Sequence, residues 1–224
     1  MAASAYGVID DLREKIRRIE GRTSSCVRFV PSGWDRVDAM LPGGGFPRGA
    51  LSELAGGRAS GKTAIALSTL ARATRQQGFA AFIDGRHELY PPSAAALGMD
   101  LERLLVVRPA APDSAEGARA ALWAAESVLA SGAFEAVAID VPLRPVHGQA
   151  GAVGAMLRRL RAAAEKGGAA ALWLGVPGGV RIPCMVRLEL STGTAGWHVR
   201  RTHARGVHDS DPMSEAVVAV HHAA

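Results

Sequence analysis

The sequence predicts an α/β domain: a mostly parallel sheet flanked by helices, with an antiparallel hairpin at its C-terminal end. Three observations predict it. Short apolar runs alternate with longer segments of helical spacing through the middle of the chain, the pattern of parallel strands joined by crossover helices. A glycine-rich stretch, "GGRASGKT" at 56–63, stands between one such run and the helix that follows it. Near the end, "CMVRLELS" and "GWHVRRTH" flank "TGTAG" and read as a hairpin.

The elements follow in order. Residues 5–20 place Ile9, Leu12, Ile16 and Ile19 at spacings of three and four, with acidic residues early and Arg17 and Arg18 late, which predicts an amphipathic helix. Gly21 ends it. "SSCVRFV" predicts a strand over Cys26, Val27, Arg28, Phe29 and Val30, stopped by Pro31, Ser32 and Gly33. "LPGGGFPRG" is a loop of turn formers. "ALSELA" is a strand, and "AIALSTLARATRQQ" the helix after the glycine-rich stretch. "FAAFID" (strand), "PSAAALG" (short helix), "LLVVR" (strand) and "SAEGARAALWAAESVLASG" (helix) continue the alternation. "AVAID", the helix "QAGAVGAMLRRLRAAAEKG" and the strand "AALWLGV" complete it. The unbroken apolar character of "AVAI" and "AALWL" fits central strands covered on both faces. This divides the chain into an N-terminal helix-strand arm (1–30), a core (31–205) and a flexible tail (206–224) in which "AVVAV" is an apolar scrap.

Bulk properties set limits. At 224 residues the chain suits one well-buried domain, and its 48% apolar content excludes a disordered one. Aromatics are only 5%, so helices are expected to pack closely through alanine and glycine. The net charge of +5, carried almost wholly by arginine, permits nucleic acid or an acidic partner, and genome composition explains the arginine bias equally well. Cys26 and Cys184 lie in apolar runs outside any metal-ligand spacing and read as structural thiols of a reducing compartment. The N-terminus lacks an apolar signal core, and no run approaches the ~20 apolar residues of a membrane span, so a cytoplasmic location is expected. The histidines form no zinc-ligand spacing, and His203 and His208 read as solvated.

"GGRASGKT" matches the spacing GxxxxGK[ST] of a phosphate-binding loop. Glycines let consecutive amide N–H groups turn inward as an anion nest, and the following helix presents its positive end to the same anion. Gly56, Gly57, Arg58, Ala59, Ser60, Gly61, Lys62 and Thr63 are therefore the candidate nucleotide-binding residues, with ATP as ligand. Lys62 would reach the β- and γ-phosphates, and Thr63 would offer its hydroxyl to Mg²⁺. Asp140, at the end of "AVAID", is the candidate second metal ligand, a strand-end capping role being the alternative.

The stretch from "GGGFPRGALSELAGG" to "FAAFIDGRHEL" resembles the ATPase core of the RecA family. The likeness continues through "LGMDLERLLVVRP" and the Asp140 strand, covers roughly residues 30–140, and returns faintly at "MVRLEL". In its small size and divergent second half the chain resembles the ImuA (SulA-like) branch. The resemblance implies a role in bacterial DNA-damage-induced (SOS) translesion mutagenesis, with RecA, ImuB and an error-prone polymerase as partners. It also marks departures. The family's catalytic glutamate follows the strand that resembles "FID", and here that position is Arg86. A guanidinium stays protonated and cannot act as a general base. Arg86 could instead pair with a γ-phosphate, or lie solvated on the surface, and Glu88 is a possible substitute base. The family's sensor glutamine has no counterpart at Gly175 or Val176. Its adenine-stacking aromatic falls near Ser93, with Tyr90 close by. Nucleotide binding with weak or absent hydrolysis is the expectation.

The family's two DNA-binding loops correspond to "VPLRPVHGQAG" and "PGGVRIP", both short, each keeping one arginine, Arg144 and Arg181, as a DNA or partner contact. Arg158, Arg159 and Arg161, with Arg200 and Arg201, add positive charge that permits weak, salt-sensitive DNA binding. Trp123, Trp173 and Trp197 sit in apolar patterns and read as core. The arm resembles the helix and strand with which one RecA subunit packs on the next, so Cys26–Val30 is a candidate docking strand, for a protein partner or for a homo-oligomer. Folding back onto its own domain is the alternative. The competing reading is an active, DNA-dependent ATPase of RecA type.

Overall fold

The computed structural model describes residues 28–112, 114–143, 150–204 and 214–219. Its architecture is the predicted one, an eight-stranded sheet between helical layers. The strands are β3 (Ala50–Gly56), β4 (Phe79–Asp84), β5 (Leu104–Val107), β6 (Phe134–Asp140), β7 (Ala170–Gly175), β8 (Val186–Gly193), β9 (Gly196–Ala204) and β10 (Glu215–Val218). They lie in the order β10-β9-β8-β3-β7-β6-β4-β5. Every pairing from β8 through β5 is parallel, and β8–β9 and β9–β10 are antiparallel. A separate two-stranded ribbon pairs β1 (Phe29–Val30) with β2 (Phe46–Pro47).

The helices are α1 (Asp35–Asp38), α2 (Lys62–Arg75), α3 (Pro91–Ala96), α4 (Ala115–Ala130) and α5 (Ala150–Gly167). The period-2 alternation of the strands sends neighbours to opposite faces. Leu54, Phe82, Ala138 and Leu172 join Ile65, Leu67 and Leu70 of α2 in one core. Leu51, Ile83, Ile139 and Trp173 join Leu122, Leu129, Leu157 and Leu160 of α4 and α5 in the other. The small residues do what composition suggests. A side chain at Gly167 would meet the Leu129 carbonyl oxygen at 1.8 Å, so glycine sets how closely α5 approaches the end of α4.

Four expectations are corrected. The apolar scrap in the expected tail is a strand: β10 pairs residue for residue with β9, Val218 opposite Trp197, and Val218 is buried. The loop 41–49 contains a 3-10 turn at Pro42–Gly44 and strand β2. The described end of the arm strand pairs within its own chain, Phe29 with Pro47 and Val30 with Phe46. Trp123 is 67% exposed on α4, whereas Trp173 is buried as expected. The predicted helix 5–20, Cys26 and Val27 lie outside the described residues. No helix among the described residues is long and apolar enough to cross a membrane.

Candidate functional site

Parallel strands deliver their carboxyl ends to one edge of the sheet, where open α/β sheets bind ligands. Four segments meet there: the loop after β3, the turn after β4, Asp140 at the end of β6, and the segment after β7. The loop after β3 is shaped by two left-handed residues, Ala59 (φ 56°) and Gly61 (φ 89°). Gly56 must be glycine, because a Cβ there would meet Ser60 Oγ at 2.3 Å and the Leu190 carbonyl oxygen at 2.7 Å. The first backbone bond into α2 runs from Ile65 N–H to Gly61 O, 3.0 Å. Among the described residues, the amides of Arg58 through Thr63 donate to no backbone carbonyl. Ser60 Oγ is also buried without a partner. Lys62 Nζ donates to Gly56 O (3.0 Å) and Gly57 O (2.9 Å), so the cation lies over the loop that precedes it. Burial lowers the Lys62 pKa, the negative charge of Asp140 works against that, and Arg86 adds to the lowering.

Residues 57 and 59–64 form one wall of a cleft of about 630 Å³, and residues 192–197 of the β8–β9 hairpin form the other. Thr192 Oγ1 donates to Ala59 O at 3.1 Å and ties the two walls. Trp197 lies against the loop so closely that a Cβ on Gly61 would meet its ring at 2.2 Å. Trp34 packs edge-on against Trp197, with centroids 5.6 Å apart.

Asp84 and Asp140 are register partners on adjacent parallel strands. Two neighbouring carboxylates at a buried strand end repel unless each is compensated. Each has its own arginine. Asp84 accepts Arg108 Nε at 2.8 Å and the amides of Glu88 (3.0 Å) and Leu89 (3.2 Å). Asp140 accepts Arg86 Nε at 2.7 Å. Burial raises the Asp140 pKa, and the bond and charge of Arg86 pull in the opposite direction. Arg86 is therefore neither a solvated surface residue nor aimed away from the site: it sits on the expected metal ligand.

This arrangement fits a phosphate group. Unpaired amides, a lysine and a buried, unpartnered hydroxyl supply donors where an anion would lie. It does not fit a magnesium ion held by Thr63 and Asp140. Asp140 is spent on Arg86.

The remaining candidates fall apart in space. Glu88 is exposed and makes a loose ion pair with Arg58 at 3.5 Å, an arrangement of little energetic weight. Tyr90 is 67% exposed and does not line the cleft beside the loop. Arg181 is exposed and lines a different, larger cleft of about 780 Å³, together with Glu53, Arg187, Glu189 and Arg200. Arg144 and His147 lie outside the described residues. Arg201 is buried, with NH1 donating to Met40 O at 2.6 Å, so it adds no surface charge. Cys184 is a free, half-buried thiol whose pKa burial pushes up, which fits a structural role.

Sequence reasoning missed three features. Asp84 and Arg108 organise the turn that carries Arg86, and only the carboxylate-after-apolar-run pattern hinted at Asp84. Trp197 was read as core, and it packs against the core while its ring also walls the cleft. A buried ion pair joins Glu53 of β3 to Arg187 of β8, Nε to Oε2 at 2.6 Å. That pair explains the missing sensor amide, since a Cβ at Gly175 would meet Glu53 Oε1 at 2.7 Å. Gly175→Gln is accordingly expected to lose about 1–3 kcal/mol of stability by overpacking. Thermal melting checks it, and an unchanged Tm would mean that Glu53 has room to move.

Comparison with known proteins agrees with this geometry. The RecA N-terminal domain model matches residues 10–166. A protein RecA from Rubrobacter xylanophilus is 41% identical over 141 residues, 61% of this chain and 39% of that protein. One from Picosynechococcus sp. is 39% identical over 143 residues, 62% of this chain and 39% of that protein. One from Treponema denticola is 44% identical over 114 residues, 51% of this chain and 26% of that protein. The chain thus spans well under half the length of these curated relatives. A domain model that matches most of the chain, on a sheet with a glycine-rich loop at its carboxyl edge, places this chain in the RecA N-terminal domain family.

Proposed function

We propose that the chain is a RecA-like accessory protein of bacterial DNA-damage-induced (SOS) translesion mutagenesis, of the ImuA (SulA-like) branch. It holds ATP weakly or without turnover and acts through protein contacts with RecA, ImuB and an error-prone polymerase in the cytoplasm. The observation that carries this reading is the pairing of Arg86 with Asp140, 2.7 Å, where the RecA resemblance calls for a water-activating glutamate beside a free metal ligand. A permanently protonated group in that place removes the general base. The short segment between β7 and β8 and the largely compensated charges of the neighbouring cleft leave little to line a DNA channel.

A second reading, an active RecA-type ATPase that binds single-stranded DNA, is favoured by the identity to proteins named RecA. ATP turnover with and without single-stranded DNA separates the two. The accessory reading expects turnover near background in both conditions; DNA-stimulated hydrolysis that is lost in Lys62→Ala overturns it. Arg86→Glu is expected to raise hydrolysis little, because Gly175 still lacks the sensor amide.

The arm is proposed to dock on the partner through its residues before Arg28, since Phe29 and Val30 pair within their own chain. Val30 is buried, and the Phe29 ring fills the space beside Gly43, so a test deletion should stop at residue 27. Pull-down of RecA, ImuB and the polymerase is expected to weaken on that deletion, and equal capture of all three sinks the docking role.

A further inference from the structure

We propose that Arg86 is a built-in cation that takes the place of a divalent metal ion, so that this site takes a nucleoside phosphate without magnesium. The inference rests on the reading of residues 56–63 as a nucleotide-binding loop. It goes further by stating what neutralises the ligand's charge.

The turn carrying Arg86 is fixed at several points. Gly85 N–H donates to the Asp140 carbonyl oxygen at 2.9 Å, and a Cβ at Gly85 would meet that same oxygen at 2.8 Å. His87, at φ 58°, places Nε2 2.7 Å from Pro109 O. Glu88 and Leu89 donate their amides to Asp84. Asp84 is itself fully buried and held by Arg108, which also donates to Leu89 O at 2.8 Å. A side chain on so constrained a turn has a defined place, and that place is the carboxylate of Asp140.

For a metal ion to take Asp140, the arginine would have to leave. Asp140 is 5% exposed, so the departure would cost a charge-assisted bond in a desolvated setting. Deprotonation offers no exit, because guanidinium stays charged at any relevant pH. Arg86 spends only Nε on Asp140, and among the described residues no hydrogen bond occupies its two terminal amino groups. Those groups remain to face a phosphate oxygen. Asp140, Arg86, Glu88 and Arg58 all act electrostatically on Lys62, so the Arg86–Asp140 pair lies within electrostatic range of that lysine. Two carboxylates against three cations, Lys62 included, leave an excess of positive charge before any ion is added.

The test compares the Kd of a fluorescent ATP analogue in excess Mg²⁺ and in EDTA. Wild type is expected to bind with affinities that agree within about threefold. Arg86→Ala frees Asp140 and removes the cation, so its binding should fall by about tenfold or more in EDTA and recover on adding Mg²⁺. Arg86→Lys keeps the charge and should keep metal-independent binding, which guards against a merely unfolded alanine variant. Wild-type affinity that rises about tenfold or more with Mg²⁺ overturns this inference and leaves the nucleotide reading intact. An Arg86→Ala variant no more Mg²⁺-dependent than wild type also overturns it. Absence of binding in both buffers sinks both readings together.

Discussion

Lys62→Ala is expected to weaken binding of the ATP analogue by about 100-fold, the loss of one strong charge-assisted contact to phosphate. The geometry sets the expectation. Lys62 Nζ lies over the loop, bonded to the carbonyls of Gly56 and Gly57, while the loop's amides are unpaired within the described backbone. The lysine is thus positioned before a ligand arrives and needs only to exchange two carbonyl bonds for phosphate oxygens. Burial lowers its pKa, and an arriving anion would act in the opposite direction. The fold should survive, because the alanine keeps the helix start and leaves two carbonyls beside an open cleft. Isothermal titration with a parallel thermal melt checks both halves. A variant that binds like wild type would show that the loop is retained for shape alone.

Glu53→Ala is expected to destabilise the fold by about 3–5 kcal/mol, as removal of one partner from a buried ion pair does. For a chain of this size that lowers Tm by about 10 °C. Glu53 and Arg187 link two central strands, and both side chains are largely buried, 5% and 13% exposed. Arg187 also donates to Ile182 O at 2.9 Å, so it fixes the segment between β7 and β8. Without Glu53 the guanidinium keeps that one carbonyl and loses its bonded counter-ion, with Glu189 as the remaining carboxylate acting on it. The double variant Glu53→Leu, Arg187→Met removes both charges and is expected to recover most of the loss. Circular-dichroism melts of the two variants decide it. Equal damage in both would mean that the pair matters by its shape and not by its charge.

The fold was legible because its signals are local and periodic. Apolar runs such as "FAAFID" and "AALWL" mark central parallel strands whatever surrounds them, and β4 (Phe79–Asp84) falls where "FAAFID" predicts it. The shape of the loop at 56–63 was legible for the same reason: its glycines permit a close approach and a left-handed turn that the spacing itself imposes. β10 was not legible. "AVVAV" is too short to declare itself, and it is a strand because β9 offers an unpaired edge. Trp123 shows the same limit, since an apolar pattern marks a helix or a strand but not which face is covered.

By itself the sequence determined the parallel core and the glycine-rich loop between a strand and a helix, which follow from residue identity and short-range geometry, and its resemblance to the RecA family marked Arg86 as standing where that family has a glutamate. Only the tertiary structure decided what Arg86 does. Asp140 lies far from it in sequence, and the two meet because β4 and β6 are parallel neighbours whose ends fall in register. Burial at that shared edge makes an uncompensated carboxylate costly, so the nearest guanidinium takes the place that a free metal ligand would have needed.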